Sequence, residues 1–187
     1  MENRTKQAKL INRAIIVSSI LLVIVFIMYM GRDLLIPYTN SGYKFSMNYP
    51  ANWVKVENYE GAAAVFVAPK QNSYDTFQEN LSVVIQNQAE NAMSLQKYTD
   101  TAIYQIKVVF KEGIQVLESE SGSAYLAGKP AYKFVYVTKM APEFKIMHVW
   151  TLDGTRAYQV TYTAAISDFD EYKNIVDKMI QSFQLLK

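Results

Sequence analysis

The chain runs to 187 residues, half of them apolar or aromatic, with 14 Tyr and 9 Phe; this allows one ordered domain with a short appendage and excludes two full domains, since single domains most often need roughly 100–150 residues. Its formal charge of +2 is concentrated at the start: Arg4, Lys6, Lys9, Arg13 and Arg32 precede residue 34 with only Glu2 and Asp33 against them, so the remainder holds 14 basic and 15 acidic residues. A nearly neutral body offers no electrostatic footprint to a phosphate backbone, which excludes nucleic acid as a partner.

Residues 14–30 (AIIVSSILLVIVFIMYM) carry no charge over 17 positions, which at about 1.5 Å of rise per residue reaches the lower limit for crossing a hydrocarbon core. Snorkelling by Arg13 and Arg32 extends that reach. A cleaved secretory signal shares the basic start but needs small residues before its cleavage site, and Phe26-Ile27-Met28-Tyr29-Met30 offers none. No Cys follows the segment, so there is no lipoprotein anchor. The excess of basic residues before the span places the N-terminus inside. The expected organisation is a basic cytoplasmic tail over residues 1–13, a transmembrane anchor in the lipid bilayer of the plasma membrane over residues 14–30, a linker over residues 31–42, and an extracytoplasmic domain over residues 43–187. That domain has no Cys for a disulfide, so packing alone must stabilise it.

The linker assignment rests on Pro37 and on the turn-forming run Thr39-Asn40-Ser41-Gly42. Next, Tyr43-Lys44-Phe45-Ser46-Met47-Asn48-Tyr49 alternates apolar and polar residues until Pro50, which predicts a half-buried strand. Further strands are expected over residues 62–67, 81–87, 114–120, 124–126, 131–138, 144–152 and 157–164. Asp153-Gly154 predicts a tight turn that pairs the last two antiparallel. Two segments change to a helical period. Ser94 caps the first, whose stripe is Leu95, Tyr98, Ala102, Ile103, Ile106, Val109 and Phe110, with Gly113 as its stop. Asp168 and Glu171 form a capping-box pattern for the second, with Phe169, Tyr172, Val176, Met179, Ile180 and Phe183 as its stripe. The fold class is therefore α+β.

The opening Phe45-Ser46-Met47-Asn48-Tyr49-Pro50-Ala51-Asn52-Trp53 resembles the Phe-x-x-x-Tyr-Pro-x-x-Trp start of PsbP-like domains. Similar pieces follow in the family's order: Asn80-Leu81-Ser82-Val83-Val84-Ile85; Leu95 with Tyr98; Leu126-Ala127-Gly128-Lys129-Pro130-Ala131; Tyr158-Gln159-Val160-Thr161-Tyr162-Thr163-Ala164; and Ile180-Gln181-Ser182-Phe183. The resemblance spans about residues 43–183 and rests on packing and turn residues. It implies an α/β/α sandwich around a central antiparallel sheet, as in the Mog1/PsbP-like superfamily, and a role in assembly rather than in chemistry.

Chemistry-bearing constellations are sparse. His148 is the one His, on a strand face with Ile146 and Trp150, and without a second His or any Cys it builds no ordinary zinc site and serves no serine elbow. Asp168, Asp170 and Glu171 cluster at a helix start, where the helix dipole already favours acids. The glycines stand singly in turns, with no phosphate-cradling spacing. No catalytic, cofactor or metal residues are assigned. The polar loop over residues 69–80 (PKQNSYDTFQEN) carries Tyr74, Asp75 and Phe77 without a period, and these are the candidate partner-binding residues. The expected function is that of a membrane-tethered, non-catalytic accessory module that binds another membrane or envelope protein. The alternative is binding of a hydrophobic ligand, peptide segment or ion, which an open groove on the sheet would favour.

Overall fold

The computed structural model describes residues 34–88, 93–111, 113–139 and 141–187. The expected cytoplasmic tail and membrane anchor lie outside the described residues, among which no helix is long and apolar enough to cross a membrane.

Residues 31–42, expected as a linker, contain strand β1 (Leu35–Asn40), which pairs antiparallel with β2 (Phe45–Pro50) in a register that sets Tyr38 opposite Met47. Both side chains are buried. Pro37 disguised this strand, yet β1 is the outer member of its sheet, where a missing N–H is tolerated. The connection is closed by Asn40, whose Oδ1 accepts from the Tyr43 amide at 3.0 Å. Strand β3 (Val54–Tyr59) was not anticipated either. Its hairpin to β4 (Ala62–Val67) turns at Glu60 and Gly61, both at positive φ, as the primed two-residue turns demand.

The chain continues through β5 (Asn80–Asn87), α1 (Leu95–Phe110), β6 (Ile114–Val116), a 3₁₀ turn, β7 (Gly122–Leu126), β8 (Lys129–Thr138), β9 (Phe144–Asp153), β10 (Arg156–Ala165), α2 (Phe169–Gln181) and β11 (Gln184–Leu185). Eight strands form one antiparallel sheet in the order β3-β4-β5-β10-β9-β8-β6, with β7 also on β8. The long β9–β10 hairpin is as expected, Asp153 pairing with Arg156, although the turn residues are Gly154 and Thr155. A second sheet, β1-β2-β11, lies apart from it.

Period-two alternation gives the large sheet two different faces. One carries Val135, Met147, Val149, Tyr158, Val160 and Tyr162, packed against α2 and the small sheet in a single core. Phe45 stacks on Phe183 at 5.3 Å, and the Tyr162 hydroxyl donates to the Phe169 carbonyl at 3.0 Å, which ties the sheet to the first turn of α2. The other face carries Phe134, Tyr136, Ile146 and Trp150, and α1 packs on these. Trp150 is fully buried, lies under Tyr132 at 5.8 Å and donates its Nε1–H to Thr99 Oγ1 at 2.9 Å. That bond satisfies the one polar atom of the largest core side chain and fixes the helix over β8 and β9.

Both helices depart from expectation at their ends. Ser94 does cap α1, its Oγ accepting from the Lys97 amide at 3.2 Å, but the helix already ends at Phe110, where Lys111 takes φ 52°, two residues before the expected stop at Gly113. Val109, placed on the buried stripe by period, is 74% exposed. At α2 the Asp168 side chain makes no capping bond. The α2 stripe itself is buried at Phe169, Val176 and Met179 and gains Ile175.

Val176 is wholly enclosed in the larger core. Val176→Asp therefore buries an unpaired carboxylate at a cost of about 4–5 kcal/mol or more, on the scale of a domain's entire stability. Circular dichroism of that variant should show no cooperative thermal transition.

Candidate functional site

Because α1 sits over β8 and β9, the same face of the sheet is left uncovered toward β5 and β10. Between the helix and this uncovered part lies a cleft of about 610 Å³. Its floor is set by cross-strand register: Thr161 of β10 stands beside His148 of β9, Gln159 and Thr163 flank Thr161 along β10, and Gln86 of β5 lies at its end. Its wall is the inner side of α1, with Ala102, Ile106 and Phe110. Among the described residues that line it there is no Asp, Glu, Lys or Arg. The cleft thus joins an apolar wall to a floor of neutral donors and acceptors.

His148 is the floor's centre and is buried. Its Nδ1 lies 2.8 Å from Thr161 Oγ1 and accepts from Gln159 Nε2 at 3.0 Å, while Nε2 lies 3.2 Å from the Tyr136 hydroxyl. With Nδ1 accepting from the amide, the ring proton resides on Nε2 and is donated to Tyr136, whose own hydroxyl proton stays available to an acceptor in the cleft. Burial pushes the imidazole down to about 4, so it is neutral across the physiological range. At the rim Gln88 Oε1 accepts from the Met93 amide at 3.1 Å, and Gln88 Nε2 is buried with no partner among the described residues.

The loop singled out in the sequence behaves differently. Asp75 is committed to the loop itself, Oδ2 accepting from the Gln71 amide at 3.0 Å and Oδ1 from the Phe77 amide at 3.1 Å. Phe77 turns inward onto Phe144, with ring centroids 4.4 Å apart. Only Tyr74 projects, 89% exposed. The three candidates are therefore two structural residues and one exposed aromatic. Asp168, Asp170 and Glu171 do not assemble a metal site; among the described residues no three His, Cys, Asp or Glu side chains are placed to hold an ion. The cleft residues of β10 were missed, although Gln159, Thr161 and Thr163 alternate with Tyr158, Val160 and Tyr162. That alternation reads as a solvent face until the register sets His148 and α1 beside it.

Residues 33–185 match the PsbP family model. The chain belongs to the PsbP family. No curated protein is a significant sequence match. Among solved structures the PsbP domain is similar to CyanoP, the cyanobacterial PsbP of Synechocystis, at 18% identity over 81% of this chain and 92% of that one, with a TM-score of 0.61. It is also similar to LpqN, involved in cell envelope biogenesis of Mycobacterium tuberculosis, at 10% identity over 82% and 91%, with a TM-score of 0.61. A third likeness is to the Ran-binding protein Mog1p of Saccharomyces cerevisiae, at 8% identity over 82% and 96%, with a TM-score of 0.56. At these identities the likeness shows a shared fold, the mostly-sheet α+β architecture.

The PsbP domain holds a second buried ionisable group at the end of the loop. Glu79 is fully buried, and burial raises its carboxyl above the usual range; the amides of Glu79 and Ala165 approach without completing a hydrogen bond and offset this only in part. The two buried groups act on stability in opposite senses. His148, with a folded value below its unfolded one, destabilises as the pH falls from about 6.5 toward about 4, where only the unfolded chain binds the proton. Glu79, with a folded value above its unfolded one, destabilises as the pH climbs from the ordinary carboxylate range through the raised value. Glu79→Gln should therefore raise the melting temperature at neutral pH, and its advantage should vanish in acid, where the wild-type carboxyl is protonated in both states. Thermal melts across the pH range check this, and an equal gain at every pH would assign the effect to packing instead.

Proposed function

We propose that this chain is a membrane-tethered, non-catalytic accessory module of the cell envelope whose PsbP domain binds another membrane or envelope protein. The observation that carries this reading is the chemistry of the cleft: the chain's one His is neutral, buried and hydrogen-bonded to neutral partners, and no ionised group among the described residues faces it. A site of that kind recognises and does not activate. The uncharged run of residues 14–30 behind a basic tail supports a span with the N-terminus in the cytoplasm and the domain outside. Tethering confines the domain to a thin layer at the bilayer and raises its effective concentration toward other membrane proteins. The envelope setting of LpqN and the Ran binding of Mog1p fit a fold used in protein assembly. Tyr74, held out by the Asp75 turns, is the contact residue of this reading.

A second reading is favoured by the open groove. An apolar wall facing neutral amides and hydroxyls, with Gln88 Nε2 lacking a partner among the described residues, suits an uncharged amphiphile and disfavours an ionised one, whose charge would lose water without compensation.

Protease mapping of the full-length chain in sealed membranes should find Lys187 accessible from outside. Mild-detergent purification should then recover a partner that is lost with Tyr74→Ala. A cytoplasmic Lys187, or an unchanged partner set with Tyr74→Ala, would overturn the corresponding part of the proposal. For the groove, octyl glucoside below its micelle concentration should raise the melting temperature more than octyl sulfate does. Ala102→Trp, which fills the cleft, should abolish the difference.

A further inference from the structure

Strand β3 is an outer strand of the large sheet and pairs with β4 alone. All six of its residues are exposed, and among the described residues its backbone makes no hydrogen bond beyond that pairing. Natural sheet edges are commonly blunted by a covering element, by Pro or by unpaired charge. Among the described residues β3 carries no Pro and no covering element, and its two charges, Lys55 and Glu57, are held on one face, with Lys55 Nζ 4.5 Å over the Tyr38 ring. Its alternation sends Val54 (60% exposed) and Val56 (37%) to the face that α1 leaves uncovered, next to Val67 and Val65 of β4. Lys55 and Glu57 go to the opposite face, where they pair with each other at 3.0 Å.

We propose that this edge is the contact between two copies of the chain, the two β3 strands pairing antiparallel about a two-fold axis at Val56. Among the registers that keep most of β3 paired, the charge pattern selects that one. A two-fold perpendicular to the sheet keeps each residue on its own face, so only registers centred on a residue are allowed. Centring on Lys55 sets Lys55 against Lys55, and centring on Glu57 sets Glu57 against Glu57; each puts like charges directly opposite at a cost. Centring on Val56 sets Lys55 of each copy against Glu57 of the other, on both sides of the axis, and makes the two valine patches continuous. Asn58, with φ 53°, ends the regular strand just beyond, so the pairing is short. The contact closes on itself, because the far end of the sheet, β6, is a different edge. This proposal is independent of the partner and ligand readings above.

The absence of Cys makes the test clean. The full-length chain carrying Val56→Cys, oxidised in the cells that express it, should give a disulfide-linked species of twice the 21.4 kDa chain mass. The same treatment of Tyr104→Cys, an exposed position on α1, should not. In the Val56→Cys background, Lys55→Glu or Glu57→Lys should lower the cross-linked fraction at least tenfold, and the double reversal should restore it. The proposal fails if Val56→Cys links no better than Tyr104→Cys, if it links to a protein of another mass, or if the charge reversals leave linking unchanged. It fails too if the single reversals lower linking and the double reversal does not recover it while circular dichroism shows the domain folded.

Discussion

The alternation along β9 is the constraint on which the rest depends. Ile146, His148 and Trp150 go to one side and Met147, Val149 and Thr151 to the other, in the middle of an eight-stranded sheet. A slip of one residue would exchange the two sets, moving the indole that holds α1 into the core beneath α2. Ten residue pairs with β10 and seven with β8 hold the register against such a slip. Both helices, the small sheet and the cleft are placed relative to that strand.

The two faces are covered unequally, and the uncovered part carries the interest. The α2 side is closed by a helix and three strands over a continuous core. The α1 side has one helix, anchored at Trp150 and Tyr136, and beyond it Val54 is exposed while Val65, Val67 and Val84 are partly buried. The cleft is the seam between the covered and bare parts of this face. Its neutrality follows from its origin: a floor shaded by a helix but not sealed by one suits Gln, Thr and a neutral imidazole, which tolerate partial burial when bonded to one another. The partly exposed valines continue outward to β3, whose backbone edge is unpaired among the described residues.

Much of the architecture was legible in the sequence because it is written in long, strongly periodic segments. β8, β9, β10 and both helices bury one face each and show it. What was not legible has weak or misleading local signals. β1 contains Pro37 and follows an apolar segment, so it reads as a linker; β11 is two residues long. β3 is exposed on both sides, and its strand character comes from pairing with β4, not from burial. For the candidate site the difficulty is distance in sequence. His148 was visible as a solitary residue, but the cleft exists only where β5, β9 and β10 meet under α1, and nothing within ten residues of any of them announces that meeting. Phe77 carries no period, and only the position of Phe144 decides that it turns inward.

The last strand has a consequence for how the domain is made. β11 adds to β2 on the side away from β1, setting Leu185 against Phe45, and the Leu186 amide donates to the Lys44 carbonyl at 2.9 Å. The small sheet is thus sewn from the earliest and the latest residues of the domain. A ribosome that has not yet released residue 185 holds back the thread that finishes it, so native closure must wait until synthesis has passed that point, and partial chains keep Phe45 without the ring of Phe183 to lie on.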